Sequence, residues 1–449
     1  MIGEPHPPSP SSSGGEGEQK KRLPLEGIRV IDLTVVWAGP FGSALLGDLG
    51  AEVIKVDSIQ RWDVITRGQN ATVEAIKAHG GNPRDDAQPY NLSANFNSMG
   101  RNKKSVTIDL TRPEGQEAFY RLAANSDVFI ENNAPDVVRR FNITYEDLKK
   151  HNPALIMASL PAFGADGPYS HFRAYGANME AVVGHTLLRG YVDTDATTVT
   201  SVFLADACGG ATSAFAIMAA LHHRRKTGHG QFIDMSQAEN VMHTLTQAVM
   251  DYSMNGRVQT TMGNRHAYRA PQGCYPCTGD DHWITISVDT DEEFAGLCRV
   301  MGRDDLIADE RFADSLSRYK HQDALEEAIA AWSATQDHIE AFHALQQAGV
   351  PAGPVLRAGE VYDDPHLQAR DDFQVVTHPV AGTYTHYKSP IHHMSGTPLP
   401  IRKYAAPLGE DNEYVYKDVC GYSDEEYRWF VENGHAGTEV VAAQRGPGR

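Results

Sequence analysis

From Ile28 onward, short and continuous apolar runs alternate with segments of helical period. IRVIDLT (28–34), EVIKVD (52–57), SVTIDL (105–110), DVFIEN (127–132) and LIMASL (155–160) read as buried strands. GPFGSALLGDLGA follows the first of them as a helix, and YEDLKKHN precedes the last. TRPEGQEAFYRLAAN follows the third, with Thr111 and Glu114 at capping-box spacing and Pro113 in the first turn. Strands without polar alternation, interleaved with helices, predict an α/β fold whose parallel sheet is covered on both faces. A long small-residue and apolar run, VFLADACGGATSAFAIMAAL (202–221), predicts a helix from about Ala207 to His222. TGHGQFIDMS then gives a breaker and a strand, and Ser236 with Glu239 opens a further helix. Residues 263–282 read as a loop. HWITISV (282–288) is a strand followed by helices near 290–302, 323–334 and 336–348. VPAGPVL begins a last segment ending in the helix SDEEYRWFVENG, capped by Ser423.

The expected division is a tail over 1–22, the first part of a large domain over 23–235, a linker helix over 236–262, a small α+β domain over 263–348, and a segment over 349–449 that returns to the large domain. The tail, MIGEPHPPSPSSSGGEGEQKKR, has almost nothing to bury and is expected to be disordered. Across 449 residues, 41% hydrophobic and 22% charged positions are ordinary for a globular protein with a large core. A formal net charge of −18 argues against a general nucleic-acid partner. Five cysteines do not suggest a disulfide framework and fit a reducing compartment. No uninterrupted apolar run reaches the roughly 18–20 residues that span a bilayer, and no charged-then-apolar leader opens the chain. A cytoplasmic protein without a membrane partner is the expectation.

Asp206 is the one carboxylate inside the apolar run, and burying an unpaired carboxylate is costly. It is either a helix N-cap or a nucleophile placed where a bulky substrate approaches closely. The glycine-rich turn after the first strand, with Asp57 ending the second, resembles a dinucleotide-binding start, but AGPFG lacks the glycine that admits a pyrophosphate. Cys274 and Cys277 have no second pair at zinc-finger spacing, and the adjacent pairs His222–His223 and His392–His393 point to different sides of an element, so no metal site is expected. Asn102-Lys103-Lys104, Arg139-Arg140 and Arg173 recur beyond or between strands, where together they suit a ligand carrying several phosphates.

GIRVIDLTVVWAGPFGSALLGDLGAEVIKVD resembles the opening of the family III CoA-transferases. The likeness continues through NKKSVTIDL, ENNAPDVVRRFNITYEDLKKHNPALI, the FGADGPY turn, AALHHRRKTGHGQFIDMSQAE, VPAGPV and PLGEDNEYV, from about residue 26 to 425. The resemblance implies a Rossmann-like large domain with a smaller inserted domain, in an interlocked dimer. It places the nucleophilic aspartate at Asp206, in LADACGG, with Ala207, Gly209 and Gly210 leaving room for a thioester and offering N–H groups to an oxyanion. It places CoA-phosphate contacts at Arg140 and Arg173, and less firmly at Lys104. CoA is then a carried substrate, and no further cofactor or metal is implied.

Two departures from the family pattern stand out. Ser58 occupies a place where some members carry a basic residue, and GNRHAYRAPQG (263–273) replaces a glycine-rich flap. In the related α-methylacyl-CoA racemases an aspartate follows the GPY turn. Here RAYGANME puts Gly176 at that place, and the racemase histidine falls near Leu160. The expected reaction is therefore CoA transfer from an acyl-CoA to a free carboxylic acid, through an aspartyl anhydride and an aspartyl-CoA thioester. A non-catalytic subunit of a two-chain enzyme is the alternative, and a racemase stands third. Arg265 and Arg269 in the replaced flap suggest a dicarboxylate acceptor, with succinyl-CoA as donor. The partner is another copy or a related chain.

Overall fold

The computed structural model describes residues 22–441 apart from positions 62, 64, 69–71 and 389–392; the expected tail lies, but for Arg22, outside the described residues, as does His392. Six of the apolar runs form one parallel sheet: β1 (Arg29–Leu33), β2 (Glu52–Asp57), β3 (Lys103–Thr107), β4 (Val128–Glu131), β5 (Ile156–Ser159) and β6 (Phe232–Asp234). Their order is β3-β2-β1-β4-β5-β6, so the direction of winding reverses between β1 and β4. In open α/β sheets of this kind, ligands bind outside the carboxyl ends of the strands at that reversal.

Period-2 alternation sends successive side chains to opposite faces. Val30, Val53, Val128, Ile130 and Ile156 pack under the helices Ala38–Asp48 and Leu204–Thr227. Ile31, Ile54, Val106, Phe129 and Met157 pack on the other face with the helix Pro113–Ala124 and with Val415, Tyr416, Val419 and Phe430 from the end of the chain. The final helix, Asp424–Glu432, starts in a capping box from Ser423, as its sequence implies. The capping box expected at Thr111 is absent. The N-cap there is Arg112, and the Thr111 hydroxyl donates instead to Asp109 at 2.5 Å.

A second sheet is antiparallel: β7 (Gln272–Pro276), β8 (Trp283–Ser287) and β9 (Ala352–Pro354). With the helices Asp291–Val300, Gln322–Ser333 and His338–Gln347 it encloses its own core around Phe294, Phe312, Ile329 and Leu345. β9 lies past the boundary expected at residue 348, because the chain pairs once more with β8 before it leaves this unit. The hairpin β10 (Phe373–His378) and β11 (Gly382–Tyr387) follows and is tied to the first unit, with Thr383 N–H donating to Asn82 at 2.7 Å.

Candidate active site

The Leu204–Thr227 helix runs back across the sheet between β5 and β6, which brings its N-terminus to the carboxyl ends of the strands. It starts three residues earlier than the sequence implies. Phe203 is the N-cap and Asp206 the third helical residue, so Asp206 does not cap this helix. That role falls to Glu180, whose buried carboxylate accepts the Leu204 N–H at 2.6 Å and pairs with Arg189 at 3.0 Å.

The Asp206 carboxylate is thereby free for other work. It is 6% exposed and also faces the start of the Ala38–Asp48 helix, where the Ala38 backbone N–H favours its charged form. Two helix N-termini thus converge on one anion, a favourable electrostatic setting. Burial nevertheless dominates and, together with the neighbouring Glu180 charge, pushes its carboxyl up to about 6 against the Ala38 hydrogen bond. The acid is ionised at neutral pH yet poorly solvated, which suits a carboxylate nucleophile.

Backbone strain marks the same place. Val36 (φ 70°) and Phe203 (φ 54°) take left-handed conformations just before the two helix starts, and the rings of Trp37 and Phe203 meet edge to face at 5.7 Å. A β-branched residue with positive φ is a genuine outlier, and such strain clusters at functional sites. The Val36 N–H is held by Thr66 Oγ1 at 2.7 Å. Asn132, just past β4, clasps Val35 through both its N–H and its carbonyl at 2.8 Å each, so the loops on either side of the reversal are joined.

Deeper in, Lys103 Nζ donates to Asp32 at 2.9 Å, to Ser43 at 2.8 Å and to the Pro40 carbonyl at 2.9 Å. Burial alone would push the Asp32 carboxyl up, but Lys103 and Lys55 hold it below its ordinary value. This buried pair fastens the first turns of the Ala38–Asp48 helix to the sheet and so fixes the direction of the Ala38 N–H. Glu131, the last residue of β4, is also fully buried, and burial pushes it up to about 7 despite hydrogen bonds from Ser159 and Asn133.

A model described as CoA-transferase family III matches residues 25–412. The chain belongs to this family. It is a CoA-transferase. It is 32% identical to the succinyl-CoA–D-citramalate CoA-transferase of Chloroflexus aurantiacus, over 91% of this chain and 97% of that one. It is equally 32% identical to the beta subunit of the succinyl-CoA–L-malate CoA-transferase of the same organism, over 90% and 96%. Among solved structures, a CaiB/BaiF family protein from Brucella suis superposes with a TM-score of 0.78 at 30% identity, covering 89% of this chain and all of that one (100%).

Around Asp206 this CoA-transferase departs from several sequence expectations. Gly209 and Gly210 lie in the second turn of their helix, where N–H groups belong to the intrahelical ladder and are not offered to an oxyanion. Gly210 serves close packing instead: a Cβ there would lie 2.6 Å from Phe41 and 2.8 Å from the Ala38 carbonyl. Lys104 sits at the amino end of β3, with its ammonium 3.7 Å from Asp411 and 4.1 Å from the Tyr414 ring centroid. It fastens the end of the chain and is not a free phosphate ligand. Arg265 is consumed by Asp323 and by Glu326, the latter at 2.8 Å, and Arg269 lies 3.4 Å from Asp289. Arg140 and Arg173 are exposed on the connections that leave β4 and β5, and among the described residues neither is ion-paired.

The residues missed in the sequence are Glu180, Ala38, Trp37 and Phe203. A lone acid in the apolar stretch ANMEAVV was the one available signal for Glu180, and nothing local distinguishes a backbone N–H at Ala38.

Proposed function

We propose that this enzyme moves CoA from succinyl-CoA to a dicarboxylic acid, with Asp206 as the covalent nucleophile. The buried Asp206 carboxylate at two converging helix N-termini carries the reading. The Asp206 carboxylate attacks the donor thioester carbonyl and expels CoA as a thiolate, leaving a mixed anhydride. The thiolate then attacks the aspartyl carbonyl, releasing the donor acid and forming an aspartyl-CoA thioester. The acceptor carboxylate attacks that thioester, CoA departs again, and its return onto the acceptor carbonyl yields the new acyl-CoA and frees Asp206. Each step exchanges one acyl bond for another, and no electrons leave the substrates. The Ala38 N–H, already aimed at the carboxylate, is the donor placed to stabilise the developing oxyanion. Arg140 and Arg173 receive the CoA phosphates. The dicarboxylate preference rests on the citramalate and malate named for the two relatives, since Arg265 is already paired.

Incubation with succinyl-CoA followed by hydroxylamine should label Asp206, detected by peptide mass spectrometry. Asp206→Ala should lose about 10³-fold or more in transfer while keeping its fold. Transfer near the wild-type rate in that variant would remove the assignment.

The working unit, in this reading, contains a second chain. Val249, Met250, Tyr252 and Met254 of the helix Thr246–Asn255 are 48%, 51%, 64% and 71% exposed, and Phe215 on the Asp206 helix is 69% exposed. The Asp206 helix is long and apolar enough to cross a membrane by length and composition, and half of its most apolar stretch is buried in the fold. Exposed large apolar side chains of this kind suit a protein contact. Another copy, or a related chain like the two named subunits of the malate enzyme, is their expected cover. Native mass spectrometry of the chain purified alone separates the two cases.

A further inference from the structure

Away from the sheet reversal, the antiparallel unit gathers two imidazoles and a carboxylate. His282 comes from the β7–β8 turn, His338 opens the His338–Gln347 helix, and Glu360 lies in the helix Ala358–Asp363 beyond β9. One ligand atom from each falls within 4.8 Å of the other two. His338 is 3% exposed, yet neither of its ring nitrogens makes a hydrogen bond. A buried imidazole with both polar atoms orphaned needs a partner.

The surroundings orient every group inward. The His282 Nδ1–H donates to the Thr278 carbonyl at 3.1 Å, which leaves the Nε2 lone pair free. His338 Nδ1 lies 3.8 Å from Asp337 Oδ2, and its Nε2 lies 3.4 Å from Glu360 Oε1. Glu360 spends its other oxygen, Oε2, on the Arg357 N–H at 2.7 Å. The two rings stack at 4.4 Å. The frame is already joined: Thr278 N–H donates to the Gln336 carbonyl at 2.8 Å, and Arg357 reaches the Asp280 carbonyl.

We propose that His282 Nε2, His338 Nε2 and Glu360 Oε1 bind a divalent transition-metal ion of the zinc type, with solvent as the fourth ligand. Two neutral imidazoles and one carboxylate match that ion's preferences, and the carboxylate behind His338 is the usual outer partner of a metal-bound histidine. Closing on an ion at about 2.0–2.2 Å requires the three atoms to draw together by about 1 Å, within the reach of side-chain rotation. The ion would pin the segment carrying Glu360, through which the chain leaves the small unit, onto that unit's core. The three ligands stand far apart in sequence, so no spacing motif announces them.

The full-length protein, stripped with a chelator, should take up one equivalent of Zn²⁺ in calorimetry and show the visible absorption of a tetrahedral site with Co²⁺. Both should come with a rise in Tm. His282→Ala and Glu360→Gln should each weaken binding by at least about 100-fold, because removing only an outer partner costs 10–100-fold. Asp337→Asn keeps the helix cap and should fall within that outer-partner range. All variants are first checked for wild-type circular dichroism, and none requires an activity assay. Absence of saturable stoichiometric uptake, or uptake undiminished in His282→Ala and Glu360→Gln, would overturn the site.

Discussion

A side chain on Gly176 and the carboxylate of Asp206 exclude one another: a Cβ built on Gly176 lies 2.1 Å from Asp206 Oδ2. Gly176 begins the helix Gly176–Val182, whose later residue Glu180 caps the helix that bears Asp206. One short helix therefore both makes room for the carboxylate and raises its proton affinity. A side chain at Gly176 would have to share this space with the Asp206 carboxylate.

Gly176→Ala should displace the Asp206 carboxylate while leaving the core untouched. A displacement on the order of 1 Å is expected to cost about 10²-fold in kcat. Steady-state transfer rates beside an unchanged circular dichroism spectrum check this, and a wild-type kcat would show that the carboxylate has another resting place.

Asp206 also sets a pH dependence whose sign follows from burial. Its carboxyl is raised to about 6 from an ordinary 3.8, so its anion, the proposed nucleophile, is lost as pH falls through about 6. The profile of kcat/KM should bend there and drop tenfold per pH unit below it. Glu180→Gln keeps a cap oxygen but removes a neighbouring negative charge, so the bend should move to lower pH. Stability runs the other way. The native state holds the proton more tightly than the unfolded chain, so a penalty grows from about pH 3.8 to about 6 and persists above. Asp206→Asn should raise Tm by a few degrees at pH 8 and change little near pH 3; an equal change at both pH values would refute the linkage.

Arg140→Ala and Arg173→Ala should each weaken CoA binding by about 1–3 kcal/mol, the scale of a lost charge-assisted contact. The loss should shrink for a donor truncated to the pantetheine arm, which lacks the nucleotide phosphates. Equal losses for full and truncated donors would assign both arginines to folding.

Arg265→Ala should leave the preference for succinate over a monoacid of similar length unchanged, because Asp323 and Glu326 already hold this arginine. The expected effect is a stability loss of about 0.5–1 kcal/mol, in the range of partly exposed ion pairs. A shifted acceptor preference would mean that the pairing yields to substrate.

The strands of the parallel sheet were legible as apolar runs, whereas β7 (Gln272–Pro276) lies within the stretch 263–282 that reads as a loop. EVIKVD was expected at 52–57 and is β2 at those residues, and HWITISV contains β8. The main shift, from SVTIDL to Lys103–Thr107, arose because Lys103 reads as polar while its stem lies buried along the sheet and its ammonium reaches Asp32. Asp206 stood out as an acid in an apolar run. Its surroundings did not, since they are a backbone N–H at Ala38, a cap from Glu180 and two strained residues. Charge counting misled at Arg265 because its partners lie about sixty residues further on, and a run of basic residues says nothing of acids that folding brings beside it.

The core under one face of the parallel sheet is finished by Val415, Tyr416, Val419, Phe430 and Ala436, and the outer edge of β3 is sealed by Asp411 and Asn412, which accept the Ser105 and Thr107 N–H groups at 2.9 and 2.8 Å. During synthesis the first strands leave the ribosome long before these residues exist. Half a sheet then waits with a bare apolar face and an open hydrogen-bonding edge while some three hundred further residues are added, the kind of surface that recruits chaperones or seeds aggregates. Translation must run past the last helix before the nascent chain closes over its first strand.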